Sequence, residues 1–290
     1  MHRRPNLARG FSVIELLVVI GIIVILISIF LPYVIKARES DHRARCAENL
    51  RTLMASLRAY SSANKGVFPR VQYDPAHNPN GYVAYTGAAA ADPFVQDTTV
   101  RPNDVTASLW LLVRARLAKP SFFICPSTAD LPESLDVQST TTRSNFSSGH
   151  NLSYSYASPF TNTPGYKLDD FLPADFALLA DKNPGVDPST GANVIGPTWD
   201  AKPFALAVAN STNHRRAGQN VLYADGHVSF QPTPFCGFGK DGLRDNIYTA
   251  LSRTPIPKVQ NPATYAPGVV GRDVGPAWER DSYLVPTAQD

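Results

Sequence analysis

Nearly every position from Phe11 to Ile35 is apolar, on every face a helix could present. About 20 such residues cross a bilayer as a helix, and Phe11 to Val34 would rise ~36 Å, so the pattern predicts one transmembrane helix. Beyond Ile35 the pattern narrows rather than ending. Leu50, Leu53, Met54, Leu57 and Tyr60 recur at helical spacing, while Arg38, Glu39, Asp41, Arg45, Glu48, Arg51 and Arg58 take the other faces. The expected element is one long stem, first lipid-facing and then amphipathic, with a kink permitted at Pro32. Asn64-Lys65-Gly66 should end it, with Gly66 in the left-handed conformation, and Phe68-Pro69 should begin extended chain.

The rest of the chain reads as an α+β head. From Val71 to Asp104 no period is sustained, and the stretch is expected to be a long connection. Asn103 or Asp104 is placed to cap a helix over Val105 to Leu117 with Val105, Leu109, Leu112, Val113 and Leu117 as its apolar face. Phe122 to Ser127 reads as a short buried strand stopped by Pro126, and the Ser/Thr/Asn run from Ser134 to His150 as exposed loop. Strands are expected at Leu152 to Ala157, Phe176 to Asp181, and in two pieces across Asn220 to Phe230. There Asp225-Gly226 is a strong hairpin signal. From Thr254 to Asp290 the chain is Pro-rich with little periodicity, as expected of a tail draped over the head or left disordered.

Composition adds constraints. Twenty-five prolines and 18% charged residues suit a loop-rich extracytoplasmic domain. Three cysteines, Cys46, Cys125 and Cys236, with no CxxC, argue against a zinc knuckle. Outside the cytoplasm one pair can oxidise; Cys46 with Cys125 is the favoured disulfide, and three buried free thiols are the alternative. One residue breaks the apolar run. Glu15 carries a penalty of roughly 2.5–3.5 kcal/mol if charged at the centre of a membrane helix, so a partner is needed to neutralise it.

A short basic leader ending in Gly10, then Phe11, then Glu15, then an apolar helix with Pro32 near its end, resembles the class III signal of type IV pilins and type II secretion pseudopilins. Cys46 to Leu50, with Tyr60, Gly66 and Phe68-Pro69, is similar to the stem-to-head junction of pseudopilins. The resemblance implies cleavage after Gly10 and methylation of Phe11 by a prepilin peptidase/methyltransferase. It also implies a pairing of Glu15 with the Phe11 amine of a neighbouring subunit. Loss of the leader removes Arg3, Arg4 and Arg9, taking the 27 basic residues to 24, equal to the 24 acidic ones. No nucleic-acid footprint is expected of such a product. Arginines and lysines flank both ends of the span, so charge alone does not orient it. The resemblance implies a cytoplasmic N-terminus, a single pass through a bacterial inner membrane, and a head outside.

Asn213-His214 followed by Asn220 to Val228 resembles the H-X9-DG segment of prepilin-like bacterial proteins labelled by a DUF1559 domain. Here ten residues, not nine, separate His214 from Asp225, and the added Arg in Arg215-Arg216 should enlarge the loop. The implied architecture is type IV pilin-like, a long N-terminal helix packed on a small antiparallel sheet. Its expected parts are a leader (1–10), a transmembrane half-stem (11–35), an amphipathic half-stem (36–65), a head (66–253) and a tail (254–290). No cofactor is expected. If a metal is held, the pseudopilin likeness implies calcium, with Asp181 and Asp225 as ligands. His214, Asp225, His227 and Asp181 could alternatively gather around a metal or form an acid–base pair. The plainer reading assigns Asp225 and Gly226 to the turn, His214 to packing and His227 to solvent.

Gly237 to Gly242 matches GxGxxG but lacks the βαβ context of a dinucleotide site. No GxSxG, HExxH or Walker loop occurs, so no enzyme is expected. The function anticipated is a structural subunit that assembles with other pilin-like subunits, membrane lipid surrounding its helix, into a fibre of a type II secretion or related system. The alternative is an anchored module binding carbohydrate or a secreted substrate through the long Tyr- and Asn-bearing loop.

Overall fold

The computed structural model describes residues 13–76, 102–135, 143–185, 202–240, 243–250, 276 and 279–285. Gly10 and Phe11, most of the loop after Val71 and most of the tail after Thr254 lie outside the described residues. The first element, α1 (Val13–Ala63), is a single helix with Pro32 inside it. The chain divides into two compact units between Asp41 and His42.

In the first unit every side chain from Val13 to Ile35 is exposed, and this stretch makes α1 long and apolar enough to cross a membrane. Ser28 donates its hydroxyl to the Ile25 carbonyl at 2.7 Å, which satisfies a polar group without leaving the helix. Glu15 lies in the first helical turn, where the helix dipole favours a carboxylate.

In the second unit the apolar stripe of α1 enters the core. Cys46, Leu50, Leu53, Met54 and Leu57 are buried, so the stripe begins one turn before Leu50. Gly66 closes the helix at φ 82°, its N–H donating to Ser61 O at 2.8 Å. Asp104 caps α2 (Val105–Arg114) by accepting from the Ala107 N–H at 2.9 Å. All nine side chains from Val105 to Val113 are buried, so α2 is enclosed on every side rather than on the one face its spacing predicts. Thr106 and Ser108 tolerate this because their hydroxyls bond to Asp104, each at 2.8 Å. Asn103 also pins the two ends of the long loop together, accepting from Asp74 N at 3.0 Å and donating to Asp74 O at 2.9 Å.

Two expectations are corrected. Phe122 and Phe123 belong to a 3-10 turn, Pro120–Phe123, not to a strand. Pro120 has the fixed φ and missing N–H that suit the first residue of a helical turn. The polar run before His150 is not all exposed loop: Ser144, Asn145 and Phe146 are buried. Phe146 packs edge-on against Trp110 at 4.9 Å and Phe123 at 5.2 Å, and Asn145 donates to Asp104 Oδ2 at 3.1 Å.

The strands β1 (Tyr154–Ala157), β2 (Ala177–Asp181), β3 (Gln219–Tyr223) and β4 (Val228–Gln231) appear where the sequence places them. A short helix, α3 (Pro203–Val208), precedes β3. The hairpin β5 (Phe235–Lys240) and β6 (Leu243–Asn246) forms a second small sheet, and β7 (Leu284–Val285) pairs with β1. The main sheet is antiparallel in the order β4-β3-β2-β1-β7, so β2 is central. Part of the tail thus completes the sheet, with Tyr283, Leu284 and Val285 fully buried. The fold is α+β, a long helix packed on an antiparallel sheet. The GxGxxG glycines Gly237 and Gly239 lie in β5, and a side chain at Gly237 would meet Asp245 at 3.0 Å. Gly237 serves close packing.

Two predictions follow from this packing. Gly218, at φ 146°, has no room for a side chain: a Cβ would lie 2.4 Å from Gln231 O and 2.7 Å from the Phe230 ring. Gly218→Ala is expected to lower stability by about 2–4 kcal/mol in urea unfolding. Asp245 is buried, and burial pushes its carboxyl up from 3.8 to about 7, against hydrogen bonds from Ser282 and Asn246 N–H. The folded chain therefore holds a proton that the unfolded chain releases. That contribution is fully present below about pH 3.8 and is lost as pH rises through about 7. Unfolding measured across this window should show Asp245→Asn removing the share of the pH dependence that Asp245 supplies; a slope identical to the wild type's would contradict it.

Candidate functional site

Four chemically active side chains meet inside the second unit. Cys46 stands on the buried stripe of α1, Cys125 follows the 3-10 turn, Asp181 ends β2, and His214 lies in the turn before β3. All four are fully buried, and their ligand-type atoms lie within 4.8 Å of one another. Among the described residues this is the one such group of His, Cys, Asp and Glu.

Asp181 is its centre. Its Oδ1 accepts from Cys46 Sγ at 3.0 Å and Asn213 Nδ2 at 3.1 Å. Its Oδ2 accepts from Asn220 N at 2.6 Å and faces His214 Nε2 at 3.3 Å. A carboxylate has about four acceptor positions, and four groups fill them. Nε2 of His214 also lies 3.5 Å from Cys125 Sγ and 3.1 Å from Asn220 Nδ2, and Tyr154 Oη lies 3.2 Å from Cys46 Sγ.

The backbone is strained to place His214. His214, Arg215 and Arg216 take φ of 52°, 56° and 60°, a left-handed turn of three residues with β-carbons. Each costs about 1–2 kcal/mol relative to the right-handed conformation. The turn is held by Ala217 N donating to His214 O at 3.1 Å, by Asn210 Nδ2 on Arg216 O at 3.1 Å and by the Arg216 guanidinium on Val208 O. Arg215 and Arg216, at the start of the ten residues that separate His214 from Asp225, lie within this turn.

The cluster shifts its own members. Burial alone would lower His214, but Asp181 and Cys125 outweigh it and push the imidazole up to about 10. Burial drives Cys46 well above the usual thiol range, with Cys125 and Asp181 adding to it. Cys125 is lowered, first by the hydrogen bond from Cys46 and then, against burial, by His214.

The structure divides the sequence-predicted residues into two groups. His214 and Asp181 meet in the cluster. Asp225 and His227 instead pair with each other at the exposed hairpin turn, His227 Nδ1 lying 2.6 Å from Asp225 Oδ1 and its ring stacking on Tyr223 at 4.4 Å. Gly226, at φ 99°, completes the turn, and Arg58 from α1 donates to the carbonyls of Ala224 at 3.3 Å and Asp225 at 3.0 Å.

The expected calcium pair is corrected. Ala180 pairs with Val221 and Ala177 with Tyr223, so Asp181 lies beside Asn220 while Asp225 lies beyond the far end of β3, ~15 Å along the strand. The disulfide is corrected as well: Cys46 and Cys125 are neighbours but both are free thiols, as is Cys236. Sequence reasoning missed the joining of Cys46 and Cys125 to His214 and Asp181. One signal was available for Cys46, which precedes Leu50 by four residues on the same helix face.

The arrangement differs from a Cys–His–Asp catalytic relay. There the cysteine and the aspartate use opposite ring nitrogens, whereas here both face Nε2. Comparison with known protein families, with characterised proteins and with solved structures finds no match.

Removing one partner from such a cluster leaves the others buried and uncompensated. Asp181→Ala is expected to cost about 3–5 kcal/mol and Asp225→Ala only about 0.5–1.5 kcal/mol by chemical denaturation. Equal losses would show that the cluster is no more tightly coupled than the turn.

Proposed function

We propose that this chain is a pilin-like structural subunit, cut after Gly10, methylated on Phe11 and assembled through its helix into a pseudopilus or related fibre of a secretion system. The observation that carries the reading is α1 itself. One helix joins an apolar stretch with no buried side chain to a stripe that is integral to the core of the head. A plain tether needs only the first of these. A fibre subunit needs both, because its apolar half must pack on neighbours while its other half holds the head in register.

Glu15 supports the same reading. A carboxylate near the start of an apolar helix is expensive in lipid, and the positively charged amine of Phe11 from a neighbouring copy would neutralise it. The pairing fixes how far one helix is displaced along the next. On this reading the subunit sits in a bacterial inner membrane with its N-terminus in the cytoplasm and its head outside. Its partners are the prepilin peptidase/methyltransferase and other pilin-like subunits.

Mass spectrometry of the native N-terminus tests this directly. The expected product begins at Phe11 and carries one methyl group; Gly10→Val should leave the full precursor, and Glu15→Leu should be cut yet fail to enter fibres. A native protein that still begins at Met1 would overturn the proposal and leave a membrane anchor in its place.

A further inference from the structure

We propose that Cys46 Sγ, Cys125 Sγ, His214 Nε2 and one carboxylate oxygen of Asp181 bind a single zinc ion that clasps α1 to the sheet. The donor set is two sulfurs, one imidazole nitrogen and one oxygen, a combination that suits zinc and excludes calcium, which takes six to eight oxygens.

Two of the spacings match the edges of a tetrahedron. Zinc bonds of about 2.3 Å to sulfur and about 2.0–2.1 Å to nitrogen and oxygen require edges of about 3.6 Å for S···N, about 3.4 Å for N···O and about 3.6 Å for S···O. The corresponding separations are 3.5 Å for Cys125 to His214 and 3.3 Å for His214 to Asp181 Oδ2, while Cys46 Sγ lies 3.0 Å from the other oxygen, Oδ1, and the four ligand atoms lie within 4.8 Å of one another.

Hydrogen bonding alone fits this geometry poorly. Nε2 of His214 has one directional position, yet a carboxylate, a thiol and an amide nitrogen converge on it at 3.3, 3.5 and 3.1 Å. A proton there serves the carboxylate and opposes the amide; a lone pair does the reverse. A metal ion takes the Nε2 lone pair, both thiolates and the carboxylate at once.

The groups behind the ligands are those that orient a metal site. Asn213 Nδ2 and the Asn220 N–H hold the two oxygens of Asp181, and the Tyr154 hydroxyl lies against Cys46 Sγ. Full burial of all four ligands marks a closed, structural site with no open coordination position. Binding releases to solvent the protons of the thiols and of His214 Nε2, as the two thiolates and the nitrogen lone pair become available.

Cobalt(II) and zinc, added to full-length protein in detergent with a phosphine reductant, test the proposal. As isolated, the folded chain should carry about one zinc. Cobalt exchange should give a thiolate-to-cobalt charge-transfer band and intense tetrahedral ligand-field bands, both removed by added zinc. Cys125→Ser should weaken the charge-transfer band, while Cys236→Ser and His227→Ala should keep it. Asn213→Ala should keep the band with affinity lower by roughly 10–100-fold. Should Cys125→Ser fail to fold, the wild-type spectrum still decides the matter. Folded wild type that takes up no cobalt, or takes it up without a thiolate band, overturns the proposal. So does a Cys46–Cys125 disulfide in native material on non-reducing peptide mapping.

Discussion

A fully buried carboxylate must be satisfied where it stands, and Asp181 imposes that requirement on three other parts of the chain. It ends the central strand, and its two oxygens are met from α1 by Cys46, from the left-handed turn by Asn213 and His214, and from the start of β3 by the Asn220 N–H. Desolvating a lone carboxylate costs several kcal/mol, so none of these groups can move away without penalty. The constraint fixes which face of α1 meets the sheet, because Cys46 shares the stripe of Leu50, Leu53 and Leu57. Apolar burial supplies most of the driving force, and the polar cluster selects one arrangement from the many that would bury the same area.

The opposite end of the β3–β4 hairpin is tied to the same helix by different means. Arg58 grips the carbonyls of the turn, and Gly226, at φ 99°, forms that turn beside Met54. Arg58 lies twelve residues beyond Cys46, a rise of ~18 Å along α1. The two ends of one hairpin are thus docked at two heights on one helix. Seen this way, the His-to-Asp-Gly segment is a pair of clamps: its histidine enters the cluster, and its Asp-Gly turn meets the stem.

Much of this arrangement was legible in the sequence where a single period or turn rule governs. The apolar run, the stripe from Leu50 to Leu57, the Asp104 cap and the Asp225-Gly226 hairpin each follow from neighbours within a few residues, and the structure contains all four. The misses share a cause. Phe146 lies in a polar run, and its burial depends on Trp110 and Phe123, distant in sequence. β7 has only two residues, too few for any alternation to register. The cluster was the least visible part, since Cys46, Cys125, Asp181 and His214 come from four elements and none carries local ligand spacing. Without CxxC the sequence argued against zinc, but that argument applies to knuckles, whose ligands come in adjacent pairs. A site assembled by the tertiary fold is outside its reach.

The strained turn is where chain length between His214 and Asp225 can be taken up without loss of either clamp. An added residue must be absorbed where no ladder register is disturbed, and the segment from Asn220 onward is paired to β2 and β4. The remaining freedom lies between Asn213 and Gly218. There three residues coil left-handedly, taking up chain length while keeping the imidazole directed at Asp181. At about 1–2 kcal/mol per residue, the strain is comparable to the loss expected from breaking the buried pair, so the two nearly balance without further help. A metal bond at Nε2 shifts that balance decisively toward the strained form. It also makes the turn's geometry depend on the clasp, so that loosening at Cys46 on the stem would be felt at the start of β3.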